Sequence, residues 1–174
     1  MLLSIKEMEV RDLAFDHAWQ PGEIDFTDSG ATQKGPLAAK GVAKLLPDAG
    51  DEVEVKGRVT AEMEVECDRC LQPASIRVDA PFDLFYKPAG AEEESEETEI
   101  DEGEAEMGFY KMPGLELEEI LREQVLLQLP MQRLCRPDCK GICPVCGGNR
   151  NEVECHCEMH PADDRWSGLR DIHV

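Results

Sequence analysis

The sequence holds eight cysteines, and six of them fall in one stretch, LCRPDCKGICPVCGGNRNEVECHC, from Leu134 to Cys157. Thiols grouped at such short spacing in a reducing compartment serve metal binding or redox chemistry, whereas in a secreted chain the same count reads as four disulfides. Cys143 and Cys146 form C-x2-C, so one tight backbone turn offers two thiolates to one ion. Pro144 pre-sets a backbone angle there, and Gly147 and Gly148 admit the positive φ with which the chain folds back. Cys155 and Cys157 lie two residues apart, and in an extended segment both reach the same face. Cys143, Cys146, Cys155 and Cys157 therefore read as one closed tetrahedral site. Cys67 and Cys70 form a second C-x2-C that supplies only two ligands, and Cys135 with Cys139 are the pair left over. We read these four as a second site, for an expected content of two zinc ions. His156 and His160 offer alternative ligands, but His156 stands between two cysteines that alternate away from it.

The elements that must position these thiols follow from periodicity. From Val53 to Val65 apolar side chains fall on odd positions, with polar or charged residues on the even ones, which predicts a half-buried strand. A second alternation, Ile76, Val78, Ala80, Phe82, Leu84 and Tyr86, predicts its partner and places CDRCLQP in the hairpin connection between them. The spacing of Leu117, Ile120, Leu121, Gln124 and Leu127 or Gln128 predicts a helix that Pro130 ends, with Glu116, Glu118 and Glu119 suited to its N-terminal dipole. This helix delivers the chain to Cys135 and so back towards the hairpin tip. Residues 1 to 46 read as short strands and turns.

Charge narrows the function. The chain has 38 acidic residues against 18 basic ones, a net −20, and four thiolates on each zinc would add about −2 more. Half of the net charge sits in EEESEETEIDEGEAE, Glu92 to Glu106, whose ten acidic residues are unrelieved by any basic one. Such a run buries too little apolar surface to offset its ordering entropy and predicts a mobile, solvated loop. It reads as a solubilising spacer or, through Glu92, Glu93, Glu94, Glu96 and Glu97, as a docking site for a basic partner. A tight grip on nucleic acid normally needs a basic face. The local exception is Arg133, Arg136, Lys140 and Arg150 around the last cysteines, which either offset thiolate charge or contact RNA.

Enzyme readings fare worse. The sequence has no G-x-G-x-x-G, P-loop, H-E-x-x-H or G-x-S-x-G motif, and Asp16 with His17, or Asp163 with Asp164, stand beside no obvious nucleophile. No apolar run is long enough for a bilayer, and MLLSIKEMEV meets Lys6 and Glu7 before it could form a secretory apolar core, so the expected location is the cytoplasm, with no membrane partner and no small-molecule substrate. A redox protein would use the CDRC tip, with Arg69 lowering a thiol pKa against Asp68, Glu66 and Glu64. A generic zinc-dependent interaction module is the remaining alternative.

A strand ending in CDRCLQP, an acidic loop, a helix ending in LLQLP, then LCRPDCKGICPVCGGNRN, a closing CHC and a terminal DDRWSGLRDI resemble the YceD family across roughly residues 50 to 172. The resemblance implies a role in accumulation of bacterial large-subunit ribosomal RNA, and implies that the eight thiols are metal ligands. The expected fold is α+β: an antiparallel sheet, a packed helix and a small Cys-rich zinc-binding C-terminal module. The expected divisions are 1–91 as a mainly β region with the C-x2-C hairpin, 92–106 as the acidic loop, 107–130 as the helix, and 131–174 as the zinc module and tail. The expected partner is a large-subunit precursor, met through its rRNA or through a basic ribosomal protein.

Overall fold

The computed structural model describes residues 1–47, 51–89 and 107–157. Its frame is a six-stranded sheet built on β5 (Glu52–Glu66) and β6 (Pro73–Pro88), which pair antiparallel from Val53 opposite Tyr86 to Glu66 opposite Pro73. Alternation makes this hairpin: Val53, Val55, Val59, Ala61, Met63 and Val65 are buried on one face of β5, and a slip of one residue would turn them all to solvent. The other edge of β5 is shared by β4 (Leu37–Leu46) and β3 (Ala31–Gln33), and β2 (Leu13–Trp19) pairs with β4.

One row of residues shows how the sheet stays tightly packed where the apolar alternation of β5 lapses at Gly57. Phe15, Gly41, Gly57 and Phe82 lie side by side across four strands. A Cβ on Gly41 would come within 2.5 Å of the Phe15 ring, and one on Gly57 within 2.9 Å of the Phe82 ring. The two glycines leave room for two nearly parallel rings 6.4 Å apart, so aromatic cover replaces the missing side chains.

The sheet departs from the expected antiparallel pattern at one edge. Strand β7 (Met107–Tyr110) runs parallel to β6, Phe85 opposite Met107. Parallel neighbours need a long connection between them, and the span between Pro88 and Met107 supplies it. The expected helical segment 107–130 thus begins with β7 and with β8 (Gly114–Glu116), which pairs with β1 (Leu2–Ser4) in a separate two-stranded ribbon. The N-terminal region, read as strands and turns, also contains a single helical turn, α1 (Ile5–Met8), that buries Ile5 and Met8.

The predicted helix is α2 (Leu117–Leu127), and it packs on β5. Leu117, Ile120, Leu121, Gln124 and Val125 are its buried face, the i, i+3, i+4, i+7, i+8 stripe of an amphipathic helix. Leu127, expected on that face, is 67% exposed, because the stripe closes at Val125 and the helix ends one residue after Leu126. Leu117, Leu121 and Val125 have no exposed surface, and each contributes roughly 1.5–3 kcal/mol by burial. Among the described residues, no helix is long and apolar enough to cross a membrane.

Candidate metal centres

After α2 the chain runs from Met131 to Cys157 with little regular structure, and what orders it is contact with the tip of the β5–β6 hairpin. Asp68 and Arg133 exchange two hydrogen bonds: the Asp68 N–H donates to the Arg133 carbonyl at 2.8 Å, and the Arg133 N–H donates to Asp68 Oδ2 at 2.6 Å. Arg69 makes two further links, its guanidinium donating to the Cys139 carbonyl at 3.0 Å and its own carbonyl accepting from Ile142 N–H at 2.9 Å. Gly141 sits so close to this tip that a Cβ there would fall 2.9 Å from the Arg69 carbonyl oxygen, and its φ of +72° also calls for glycine.

This docking gathers Cys67, Cys70, Cys135 and Cys139, whose sulfurs all lie within 4.8 Å of one another. Cys67 and Cys139 sulfurs are 3.9 Å apart, and those of Cys70 and Cys135 are 3.6 Å apart. A tetrahedral thiolate site with metal–sulfur bonds near ~2.3 Å needs sulfur–sulfur separations of about 3.8 Å, so the donor set fits such an ion, and all eight thiols are free of disulfides. The second group, Cys143, Cys146, Cys155 and Cys157, also lies within 4.8 Å and is local to the C-terminal module. No histidine takes part in either group, and His160 lies outside the described residues.

Both C-x2-C loops are the same knuckle. In the first, Leu71 N–H donates to the Cys67 carbonyl and Cys67 N–H to the Gln72 carbonyl, both at 2.9 Å; in the second, Gly147 N–H donates to the Cys143 carbonyl at 2.9 Å and Cys143 N–H to the Gly148 carbonyl at 2.8 Å. The residue after the second cysteine is left-handed in both, Leu71 at φ +61° and Gly147 at φ +71°. Each knuckle also turns backbone N–H groups onto its first sulfur. Burial raises the Cys67 pKa, but N–H groups of Cys135, Arg69 and Cys70 outweigh it and bring the thiol down to about 6. At Cys143 the N–H groups of Cys146 and Val145 lead, and the thiol again falls to about 6.

Cys135 and Cys157 move the other way. Burial, then the thiols of Cys70, Cys139 and Cys67, push Cys135 up to about 12, and the Cys146 thiol with burial does the same to Cys157. Four like groups within contact distance cannot all ionise without a cation, and a divalent metal bound at the centre would hold all four as thiolates.

Asn151 joins the two groups. From the loop of the second it donates through Nδ2 to Cys139 Sγ of the first at 3.4 Å and to Asn149 Oδ1 at 2.8 Å. Its Oδ1 accepts from Lys140 N–H at 2.8 Å and from Arg136 at 2.9 Å. Sequence reading missed Asn151, Asp68 and Arg69 as structural parts of the site, since an asparagine in GGNRN looks like a turn residue and the tip of a hairpin looks like solvent.

The four cations are spread over the module. Arg133 is half-buried beside Gly30, Arg136 is committed to Asn151 and to Asp138 at 3.4 Å, and Lys140 and Arg150 are exposed without an ion pair among the described residues. The acidic residues Glu92, Glu93, Glu94, Glu96 and Glu97, the remainder of the tract to Glu106, and the tail from 158 lie outside the described residues.

Residues 55–173 match the family described as large ribosomal RNA subunit accumulation protein YceD. An uncharacterized protein of Mycobacterium tuberculosis is 36% identical over 132 residues, which cover 71% of this chain and 57% of that relative. A Zea mays protein named large ribosomal RNA subunit accumulation protein YCED homolog 1, chloroplastic, is 25% identical, with coverage of 85% and 57%. An uncharacterized protein of Bacillus subtilis is 21% identical, with coverage of 98% and 94%. The chain thus spans little more than half the length of the mycobacterial and maize relatives. No solved structure matches it. The matched stretch encloses both knuckles, the helix between them and all eight cysteines, and on that match the chain belongs to the YceD family.

Proposed function

We propose that this protein is a non-catalytic factor in bacterial ribosome biogenesis, acting in the cytoplasm, that supports accumulation or processing of large-subunit (23S) rRNA. It carries two zinc ions, one on Cys67, Cys70, Cys135 and Cys139 and one on Cys143, Cys146, Cys155 and Cys157. The observation that carries this reading is the family match over 55–173, which takes in both four-cysteine groups. All-thiolate sets with no open position are structural in type, since a catalytic zinc keeps one coordination place for substrate or water. The metals therefore hold the module on the sheet, and the module and its surroundings present the binding surface.

The partner is best read as a basic ribosomal protein, alone or already on its rRNA. A net charge of −20 favours such a surface and opposes bare phosphate. The acidic residues Glu92, Glu93, Glu94, Glu96 and Glu97 are the proposed contact, with Arg133, Arg136, Lys140 and Arg150 as the competing RNA contact. Depletion should lower mature 23S rRNA relative to 16S, and unchanged ratios would contradict the reading. Changing the five glutamates to glutamine should then weaken co-sedimentation with large-subunit precursors more than neutralising the four cations does. The reverse order, with a salt dependence that flattens by roughly one unit of slope per lost phosphate contact, would make RNA the partner.

A redox function finds less support. An attacking thiolate must be exposed as well as acidic, yet Cys67, held down to about 6, has no exposed surface. Exposed Cys135 is the thiol pushed up to about 12. The Arg69 guanidinium, the candidate activator, is spent on the Cys139 carbonyl.

A further inference from the structure

On the far side of α2 from the sheet, the helix and the loop before β3 enclose a groove of about 840 Å³. Glu23, Asp25, Asp28, Glu118, Glu119 and Glu123 line it, and Arg122 is its single cation. Arg122 is already engaged: its Nε donates to the Asp25 carbonyl at 2.7 Å, and its guanidinium pairs with Asp28. Glu118 is also used, accepting from Trp19 Nε1 at 3.0 Å and pairing with the N-terminal ammonium. Glu119 and Glu123 are exposed and make no ion pair among the described residues. Ile24, Leu126 and the exposed Leu127 add apolar surface to the same groove.

A second cavity lies beside the groove. Ile24, Asp25 and Thr27 also line an adjoining cavity of about 690 Å³, which Gln33 borders. Gln33 is 5% exposed, and its Nε2 donates to the carbonyls of Trp19 at 3.0 Å and Gly35 at 2.8 Å, which fixes the orientation of the amide. Its Oε1 is the one buried side-chain polar atom without a partner among the described residues.

We propose that this groove docks a basic segment of a partner protein, one rich in arginine or lysine with apolar residues interspersed. Carboxylates on the rim select the cations, and Leu126 and Leu127 take the apolar side chains. Nucleic acid is disfavoured here because its phosphates would face the same carboxylates. The class of partner rests on the ribosomal reading above, whereas the groove itself does not.

The test uses the full metal-loaded chain and a labelled dodecapeptide of alternating Arg and Leu, titrated at near-physiological salt. Glu119→Lys with Glu123→Lys should weaken binding at least about tenfold, while Glu9→Lys with Glu62→Lys, an equal change of net charge outside the groove, should change it by less than about threefold. The peptide should also shift the α2 amide resonances. Equal weakening by the two pairs, showing that binding follows net charge, would overturn the proposal. So would a tenfold gain in affinity on deleting residues 158–174, whose Arg165 and Arg170 would then be the natural occupants. Retained precursor association in the Glu119→Lys, Glu123→Lys protein would sink the groove and leave the ribosomal reading standing. Groove-specific peptide binding in a protein whose depletion leaves 23S rRNA unchanged would do the opposite.

Discussion

The two cysteine sites use one local device for different ends. Each begins with the same knuckle, a C-x2-C whose N–H groups face the first sulfur and whose following residue is left-handed. The second site completes itself within fifteen residues, Cys143 to Cys157, and leaves Cys146 exposed. The first draws Cys67 and Cys70 from the tip of the β5–β6 hairpin and Cys135 and Cys139 from beyond α2, and buries three of the four. Closing a long loop removes more freedom from the unfolded chain than closing a short one, and the first site also brings together the Asp68–Arg133 and Arg69–Cys139 links. The first site is thus a long-range staple, and the second folds a local module.

Removing the two metals one at a time tests this contrast most strongly. Cys139→Ser should release the segment from Met131 onward, with loss of one zinc, cleavage by trypsin after Arg133 or Lys140, and destabilisation of more than ~3 kcal/mol in the cooperative unfolding of the sheet. Cys146→Ser should lose the other zinc yet shift that unfolding by less than about 1 kcal/mol, because its contacts are confined to the module. Equal destabilisation by the two would mean that the sites fold as one unit.

A finer test concerns Asn151, which couples the sites through its contact with Cys139. Asn151→Ala should lower the metal affinity of the first site by roughly tenfold, read by chelator competition, while the second site keeps its own. An equal loss at both sites would show that Asn151 orders the whole loop and has no selective hold on Cys139.

The smallest effect compares the left-handed residues of the knuckles. Leu71 is 54% exposed and held at φ +61°, a conformation that costs a residue with a Cβ about 1 kcal/mol or more. Leu71→Gly should therefore stabilise by up to ~1 kcal/mol, and Gly147→Leu should destabilise the second site by ~1–2 kcal/mol. Thermal unfolding of each holo variant checks both signs.

How much of this was legible in the sequence depended on whether the determining pattern was local. Strands β5 and β6 are long and have one buried face, so the alternation around Val53–Val65 and Ile76–Tyr86 revealed both the hairpin and the place of Cys67 and Cys70 at its tip. The division of the thiols into two groups of four followed from spacing and elimination, and the geometry agrees. Strands β7 and β8, of four and three residues, are too short for periodicity to register, and the parallel pairing of β7 with β6 depends on a partner far along the chain. The buried face of α2 was recognised through Gln124, but nothing in the local pattern distinguished Leu127 from Val125 as its last member. Asp68, Arg69 and Asn151 were hidden for the same reason. Their roles exist only once the module has come back to the sheet.

A metal shared between the hairpin tip and the C-terminal module is what would hold the two together. Native mass spectrometry of the reduced protein and of its single Cys→Ser variants measures this most directly. Two zinc ions are expected in the parent chain, with Cys67→Ser, Cys135→Ser and the double variant each retaining one, and Cys155→Ser also retaining one. Loss of both ions in the Cys67, Cys135 double variant, or a metal-free parent whose thiols titrate freely, would contradict it.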